Sequence, residues 1–511
     1  MDIEMQKHSL IAVAVALLAA GCTLAPHYER PAEPTTATFP SGGVYDQQPG
    51  GAPGARSANG QNAVDIGWRE FFVDPRLQEL IGIALKNNRD LRVSVLNMQA
   101  SAAQYRIVRA GLFPTLDAAA SGSRQRTPAD LRISPLSPAI SSTYSVGLNA
   151  SWEIDFFGRV QSLKDQALAT YLGTAQARKA AEISLVSQVA NQYMTVLELD
   201  DLLKVTQNTL KTAQESYRIT KLQFDNGTGS ELDLRQAETV VETASADMQT
   251  QSRLRAQAVN ALVLLIGESL PADLPNGLPL NDQNLLTDIP AGLPADLLTR
   301  RPDIMEAEEN LLAANANIGA ARAAFFPKVT LTGSAGTLSP TLGGLFKPGS
   351  AAWSFAPSIT LPIFEGGQNI ANLNLANIEK NVQIATYEKA IQTAFREVAD
   401  GLAARGTYDE QIAALERDVA AEQRRLDLST LRYTNGVDSY LSVLTAQTAL
   451  YVAQQALVTA RMERLQNLVT LYQSLGGGWI EHTGDQPRPA DAPVDYGAAS
   501  APVAASAATA G

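Results

Sequence analysis

Cysteine occurs once and histidine three times in 511 residues. Cys22 has no partner in the chain, so an internal disulfide, a CxxC redox pair and a thiolate zinc cluster are excluded. His8, His27 and His482 show no metal-ligand spacing. Nucleophile-elbow, HExxH, P-loop and paired-histidine constellations are also missing, which points away from an enzyme. The plentiful carboxylates on helical stretches read as solvated faces. Lys and Arg number 40 against 52 Asp and Glu, a formal charge of −12, which becomes −11 if residues 1–21, holding Asp2, Glu4 and Lys7, are removed. Such a chain suits nucleic acid badly, because phosphate binding needs Lys and Arg. The seven methionines are scattered and hint at no soft-metal route. Proline is missing from 139–270 and from 363–486, and glycine from 174–226. Long helices can run there without a breaker.

What is present begins with an apolar run, Leu10 to Ala20, that ends in LLAAGC. It is too short to span a bilayer and the right length for a signal-peptide core. The segment resembles a bacterial lipoprotein signal, with Cys22 as the lipidated N-terminus; a plain secretory signal with a chance cysteine is the other reading. Ala19, where Leu is commonest, and the acidic start depart from the pattern. A start at Met5 restores a basic n-region, so Met1 and Met5 both stay open. Thr23 follows the cysteine instead of the Asp that retains lipoproteins in the inner membrane, which favours the outer one. The chain divides into a signal peptide (1–21), a lipidated tether (22–62), a first repeat (63–270), a linker (271–300), a second repeat (301–480) and a disordered tail (481–511).

The repeat is read from two constant offsets. Asp90 pairs with Asp303 and Phe113-Pro114 with Phe326-Pro327; Asn226-Gly227 falls on Asn435-Gly436, Ala237 on Ala446 and Gly267 on Gly476. Each copy gives a helix ending at Phe-Pro, two strand candidates, a very long helix, an Asn-Gly turn and a returning helix. The period is too long for a short solenoid repeat. Val189, Val196, Leu203, Leu210, Tyr217 and Phe224 recur every seven residues; Val398, Ile412, Val419, Leu426 and Tyr433 do so in the second copy, with Arg405 interrupting. Sustained heptads mean side-by-side helix packing. Val160 to Asp225 as one helix is about 100 Å long, and the Asn-Gly turn sends 231–266 and 440–475 back antiparallel. Two long helical hairpins are expected.

The strands are expected at about 115–126, 143–157, 328–337 and 352–364. In YSVGLNASWEIDF (144–156), Tyr144, Val146, Leu148, Trp152, Ile154 and Phe156 share one face, opposite Ser, Asn, Glu and Asp. Trp353, Phe355, Ile359 and Leu361 repeat the pattern. Alternation over about ten residues fits a tilted transmembrane strand whose apolar face meets lipid; a soluble sandwich is the alternative. In hydrocarbon every backbone amide must be paired, so the sheet must close. Four strands are too few, and three chains supply twelve. The residues thus predict a mainly α protein with a membrane β-barrel: four transmembrane strands per chain, joined to long antiparallel hairpins, in a trimeric 12-strand barrel continued by an α-helical barrel.

CTLAPHYERP (22–31), WREFFVDPRLQELIGIALKNNRDL (68–91), RIVRAGLFP (106–114), 297–327, LPIFEGGQN (361–369) and LRYTNGVDSYLSVLTAQ (431–447) occur in the order of one family. From Cys22 to about Trp479 the chain resembles the outer-membrane factors, the TolC-like channels of Gram-negative efflux and secretion systems, within them the lipoprotein branch of NodT/OprM/CusC type. The resemblance implies a passive homotrimeric export duct in outer-membrane lipid with a periplasmic extension. It also implies a periplasmic adaptor and an inner-membrane pump, commonly of the resistance-nodulation-division (RND) class, and no cofactor beyond the lipid on Cys22. Adaptor contact then falls on the tips, with Asn226, Gly227, Ser230, Asn435, Gly436, Ser439 and Tyr440. The family's constriction segment reads YLSVLTA here: Leu441 keeps a hydrophobic position, while Ser442 and Thr445 stand where the family has carboxylates. Asp233 aligns with Ser442 and could restore an acidic ring, or be a plain first-turn acid. A coiled-coil structural lipoprotein of the envelope with no pore is the competing function. The exported substrate is not legible.

Overall fold

The structure, a computed structural model, describes residues 23–45, 59–132, 134 and 138–485. The expected signal peptide, Cys22 and the end of the expected tail lie outside them. The described chain forms α1 (Trp68–Phe71), α2 (Pro75–Asn87), α3 (Arg89–Ala110), β1 (Thr115–Arg126), β2 (Ile140–Ile154), α4 (Arg159–Asp225) and α5 (Glu231–Ile266). After the linker come α6 (Leu297–Arg300), α7 (Pro302–Ala323), β3 (Lys328–Ser339), β4 (Ala351–Thr360), α8 (Gln368–Thr434) and α9 (Tyr440–Ser474). The first element, helix, strand pair and hairpin therefore recur in the same order. Among the described residues, no helix is long and apolar enough to cross a membrane.

The described residues separate into two compact units that cut across the repeats: those within 1–32, 97–174 and 306–387 in one; those within 33–96, 175–305 and 388–511 in the other. The first unit holds a single four-stranded sheet of order β1-β2-β3-β4, antiparallel throughout. Its central pairing, β2 on β3, joins copy one to copy two. The first residues of the expected tether, ahead of its Gly- and Pro-rich part, are docked here. Arg30 makes a two-pronged ion pair with Glu308 of α7 (2.8 and 2.7 Å), Tyr28 donates to the same carboxylate (3.1 Å), and Asn315 donates to the Pro26 carbonyl (2.8 Å). Proline excludes helix from that stretch, but extended backbone still docks through long-range side chains.

The second unit is built from the hairpins and the linker. α4 and α8 are each 67 residues long, about 100 Å at the α-helical rise. Their heptad positions are fully buried where each helix enters this unit, at Val189 and Val398, and only half-buried toward the turns, at Tyr217 and Tyr433. Arg405, which breaks the second heptad, donates to the Ile289 carbonyl of the linker (3.2 Å). The interruption is thus a cap on an irregular segment. Trp68, Phe71, Phe72, Leu77, Leu80 and Ile81 form the core beside them, and Phe71 stacks on Tyr472 at 4.0 Å. Gly267 and Gly476, matched by the repeat, close the returning helices: a Cβ there would lie 2.5 Å from the Asn87 carbonyl oxygen and 2.6 Å from that of Arg300. Both copies need glycine for the same close approach.

Candidate functional site: a two-faced sheet and paired helical tips

Register decides what the sheet can do. Val146 faces Ala120 on β1 and Thr337 on β3; Leu148 faces Ala118 and Ala335; Trp152 faces Leu331; and Ala335, Gly333 and Val329 face Trp353, Phe355 and Ile359 on β4. Because side chains alternate, these pairs lie on one face of all four strands, and Tyr144 and Ile154 share it. The opposite face carries Asp117, Ser121, Ser145, Asn149, Glu153, Thr330, Ser334 and Ser354. Hydroxyls meet across it, Ser121 with Ser145 and Ser334 with Ser354, both at 2.7 Å. At one end Glu153 holds Arg159 (2.8 Å) and Lys328 (3.0 Å). Trp353, Phe355 and Ile359 are 81, 63 and 72% exposed. In water so many large exposed apolar groups on one face mark an interaction surface.

Three of the expected face residues stand differently. Phe156 lies past the end of β2: its N–H turns back to the Ile154 carbonyl (3.0 Å), and Asp155 already accepts from Gln161 N–H (2.7 Å) at the start of α4. Leu361 lies past β4, stopped by Pro362, which has no N–H to donate. Trp152 is half-buried, its indole N–H tied to the Leu112 carbonyl at 3.1 Å. The strand ends also move, with β2 at 140–154 instead of 143–157 and β4 at 351–360 instead of 352–364. Val329 and Leu331 of β3 were missed as face residues. Their alternation in KVTLTG is the signal that could have found them.

The two tips are near copies. Gly227 and Gly436 both have φ of 72°, a left-handed conformation that favours glycine. Asn226 and Asn435 each donate from Nδ2 to the carbonyl four residues back, Leu222 and Leu431, at 2.7 Å in both. Ser230 caps α5 by accepting from Asp233 N–H (3.1 Å). Ser439 makes no such bond; instead Asp438 accepts from the Ser439 N–H (2.9 Å), the Ser442 hydroxyl (3.0 Å) and Arg432 (3.2 Å). These donors, the Ser439 N–H foremost, hold the Asp438 carboxyl below its usual range.

Tyr440 corrects an expectation. Read as a surface contact, it is 2% exposed and packs with Ala237 and Val443. Its ring meets Tyr433 edge-on at 5.4 Å, and Tyr433 donates to Gln223 (2.9 Å). The small side chain of Ala237 leaves the room that the phenol fills. Burial, with Tyr433 and Asp233 adding, pushes the Tyr440 phenol up to about 12. Asp233 therefore sits near the tyrosine pair. Leu441, Ser442 and Thr445 instead come together along one groove of about 710 Å³, which Asp233 does not line.

The model of the outer membrane efflux protein family matches residues 80–268 and 293–477. The chain belongs to that family. It is 50% identical over 478 residues to a toluene efflux pump outer membrane protein, TtgC, of Pseudomonas putida, covering 93% of this chain and 97% of the relative. The antibiotic efflux pump outer membrane protein ArpC of Pseudomonas putida matches with the same identity and coverage. Among solved structures, the open state of the Neisseria gonorrhoeae MtrE outer membrane channel aligns with a TM-score of 0.80 at 43% identity, over 91% of this chain and all of that one. This outer membrane efflux protein is thus the outer-membrane channel of a tripartite efflux system, combining a β-barrel with a helical barrel outside the bilayer.

Proposed function

We propose that three copies close their sheets into a twelve-strand barrel and that the hairpin tips meet a periplasmic adaptor, which couples the duct to an inner-membrane pump of the RND class. The observation that carries this reading is the register. It puts Trp353, Phe355, Ile359, Val146 and Leu148 on one face and hydroxyls with Glu153 on the other, in a sheet whose β1 and β4 edges are both unpaired among the described residues. Lipid satisfies the first face and a water-filled lumen the second. Hydrocarbon tolerates no open edge, so β4 pairs with β1 of the next copy.

Cys22 carries the acyl chain in this reading and adds a second membrane attachment. Asn226, Gly227, Ser230, Asn435, Gly436 and Ser439 form the adaptor face. Leu441, Ser442 and Thr445 narrow the lumen. Asp233, which does not line the groove of Leu441, Ser442 and Thr445, is in this reading a first-turn acid of α5. Transport through the duct is passive, and the pump supplies the energy. Relatives named for toluene and for an antibiotic are equally identical to this chain, so cargo choice belongs to the pump. Planar-bilayer conductance of the purified trimer tests the pore, and deletion of the gene in a strain without paralogues tests the function. A trimer without conductance, or undiminished export after deletion, overturns the proposal.

A further inference from the structure

The groove beside Leu441 has an unexpected charge. In a chain of net −12, it is lined by Arg424, Arg425 and Arg432, with Asp438 the single carboxylate among its described lining residues. Arg432 reaches Asp438 (3.2 Å) and Arg425 reaches Glu422 (3.2 Å). Arg424 has no carboxylate within salt-bridge distance among the described residues. Asp438 itself is occupied by the Ser439 N–H and the Ser442 hydroxyl. Asp427, on the same helix, lines a different groove and takes a bond from Gln423 (3.0 Å). Ser442 and Thr445 leave the groove hydroxyls in place of further acids.

We propose that this groove is an anion site in the pore, where small inorganic anions and carboxylate- or phosphate-bearing solutes concentrate as they pass the tip. The inference rests on the reading that Leu441, Ser442 and Thr445 face the lumen. A cleft whose lining carries an excess of one sign of charge, here three arginines against Asp438, concentrates ions of the other sign, and a threefold assembly repeats the cleft around the axis. Guanidinium presents a planar fork of donors suited to carboxylate and phosphate and stays charged at every working pH. The constriction is therefore anion-favouring, and its preference holds between acid and neutral pH.

The test is the reversal potential of the purified trimer in planar bilayers under a KCl gradient. Arg424→Gln with Arg425→Gln moves it toward the cation side, by about twofold in permeability ratio per charge removed, the size of an interaction across about 10 Å of water. Arg424→Lys with Arg425→Lys restores it. Inorganic phosphate lowers the wild-type conductance more than that of the Gln variant. Leu441→Cys, labelled with a bulky thiol reagent, reads the lumen position separately. If the label cuts conductance and the Gln variant leaves the reversal potential unchanged, the anion site is wrong and the pore reading stands. If the label has no effect on conductance, the lumen position is wrong and the anion site falls with it. The substituted arginines are exposed, and each variant is checked as a trimer before reconstitution.

Discussion

Asp74 is fully buried and accepts five hydrogen bonds: from the N–H groups of Arg76 (2.8 Å), Leu77 (3.4 Å) and Leu278 (2.9 Å), the Tyr193 hydroxyl (2.9 Å) and the Gln283 amide (2.9 Å). One carboxylate thus caps α2, anchors α4 and pins the linker. Asp74→Ala strands several buried donors and is expected to cost about 3 kcal/mol, against about 1 kcal/mol for Tyr193→Phe; urea unfolding of the solubilised protein measures both. At the tip, the raised Tyr440 phenol gives a pH dependence of known sign. The protonated form is the one the fold buries, so its stabilisation is whole below the unfolded value of about 10. It is lost as pH rises toward the folded value of about 12. Stability to urea is expected to fall above about pH 10, and Tyr440→Phe to blunt the fall. Neither residue's role was legible in the sequence. Nothing in the pattern around Asp74 singles it out, and Tyr440 reads as a tip contact because it follows a turn. Partners such as Gln283 and Ala237 lie far away in the chain, and local pattern carries no trace of them.

Whole elements were more legible, because periodicity is a local property. The heptads and the Asn-Gly turns give helices at 160–225 and 231–266, and the structure has 159–225 and 231–266. Strand ends were less so. β2 begins at Ile140 because Ile140 pairs with Arg126, although Ser141 and Ser142 interrupt any alternation there; pairing set the boundary. The faces themselves yield a prediction at this scale. Phe355 and Ser354 are neighbours on β4 that point to opposite sides. Phe355→Arg places a cation against lipid, which costs about 2–4 kcal/mol near the bilayer midplane. Ser354→Arg adds a cation to a face of hydroxyls and carboxylates and is expected to be close to neutral. The share of protein reaching the outer membrane as a trimer separates the two: it drops for Phe355→Arg and holds for Ser354→Arg.

For the whole molecule, the question is whether the lipid proposed on Cys22 or the sheet holds it in the membrane. A cysteine lipidated in the lipoprotein manner carries more than one acyl chain and anchors stably by itself, so membrane attachment alone does not separate the two. The sheet offers Trp353, Phe355 and Ile359, each more than half exposed in the isolated chain, and its two edges, unpaired among the described residues, require neighbours. Those demands come from strand register and do not involve Cys22. A Cys22→Ala protein, exported through an ordinary secretory signal, is therefore expected to remain trimeric in detergent, with a mass three times that of one chain, and to aggregate when detergent is removed. A coiled-coil spacer held only by its lipid predicts the reverse: a dispersed, detergent-independent protein once the cysteine is gone. Light scattering in and out of detergent distinguishes the two outcomes, and a soluble monomer in aqueous buffer would remove the reason for a shared barrel.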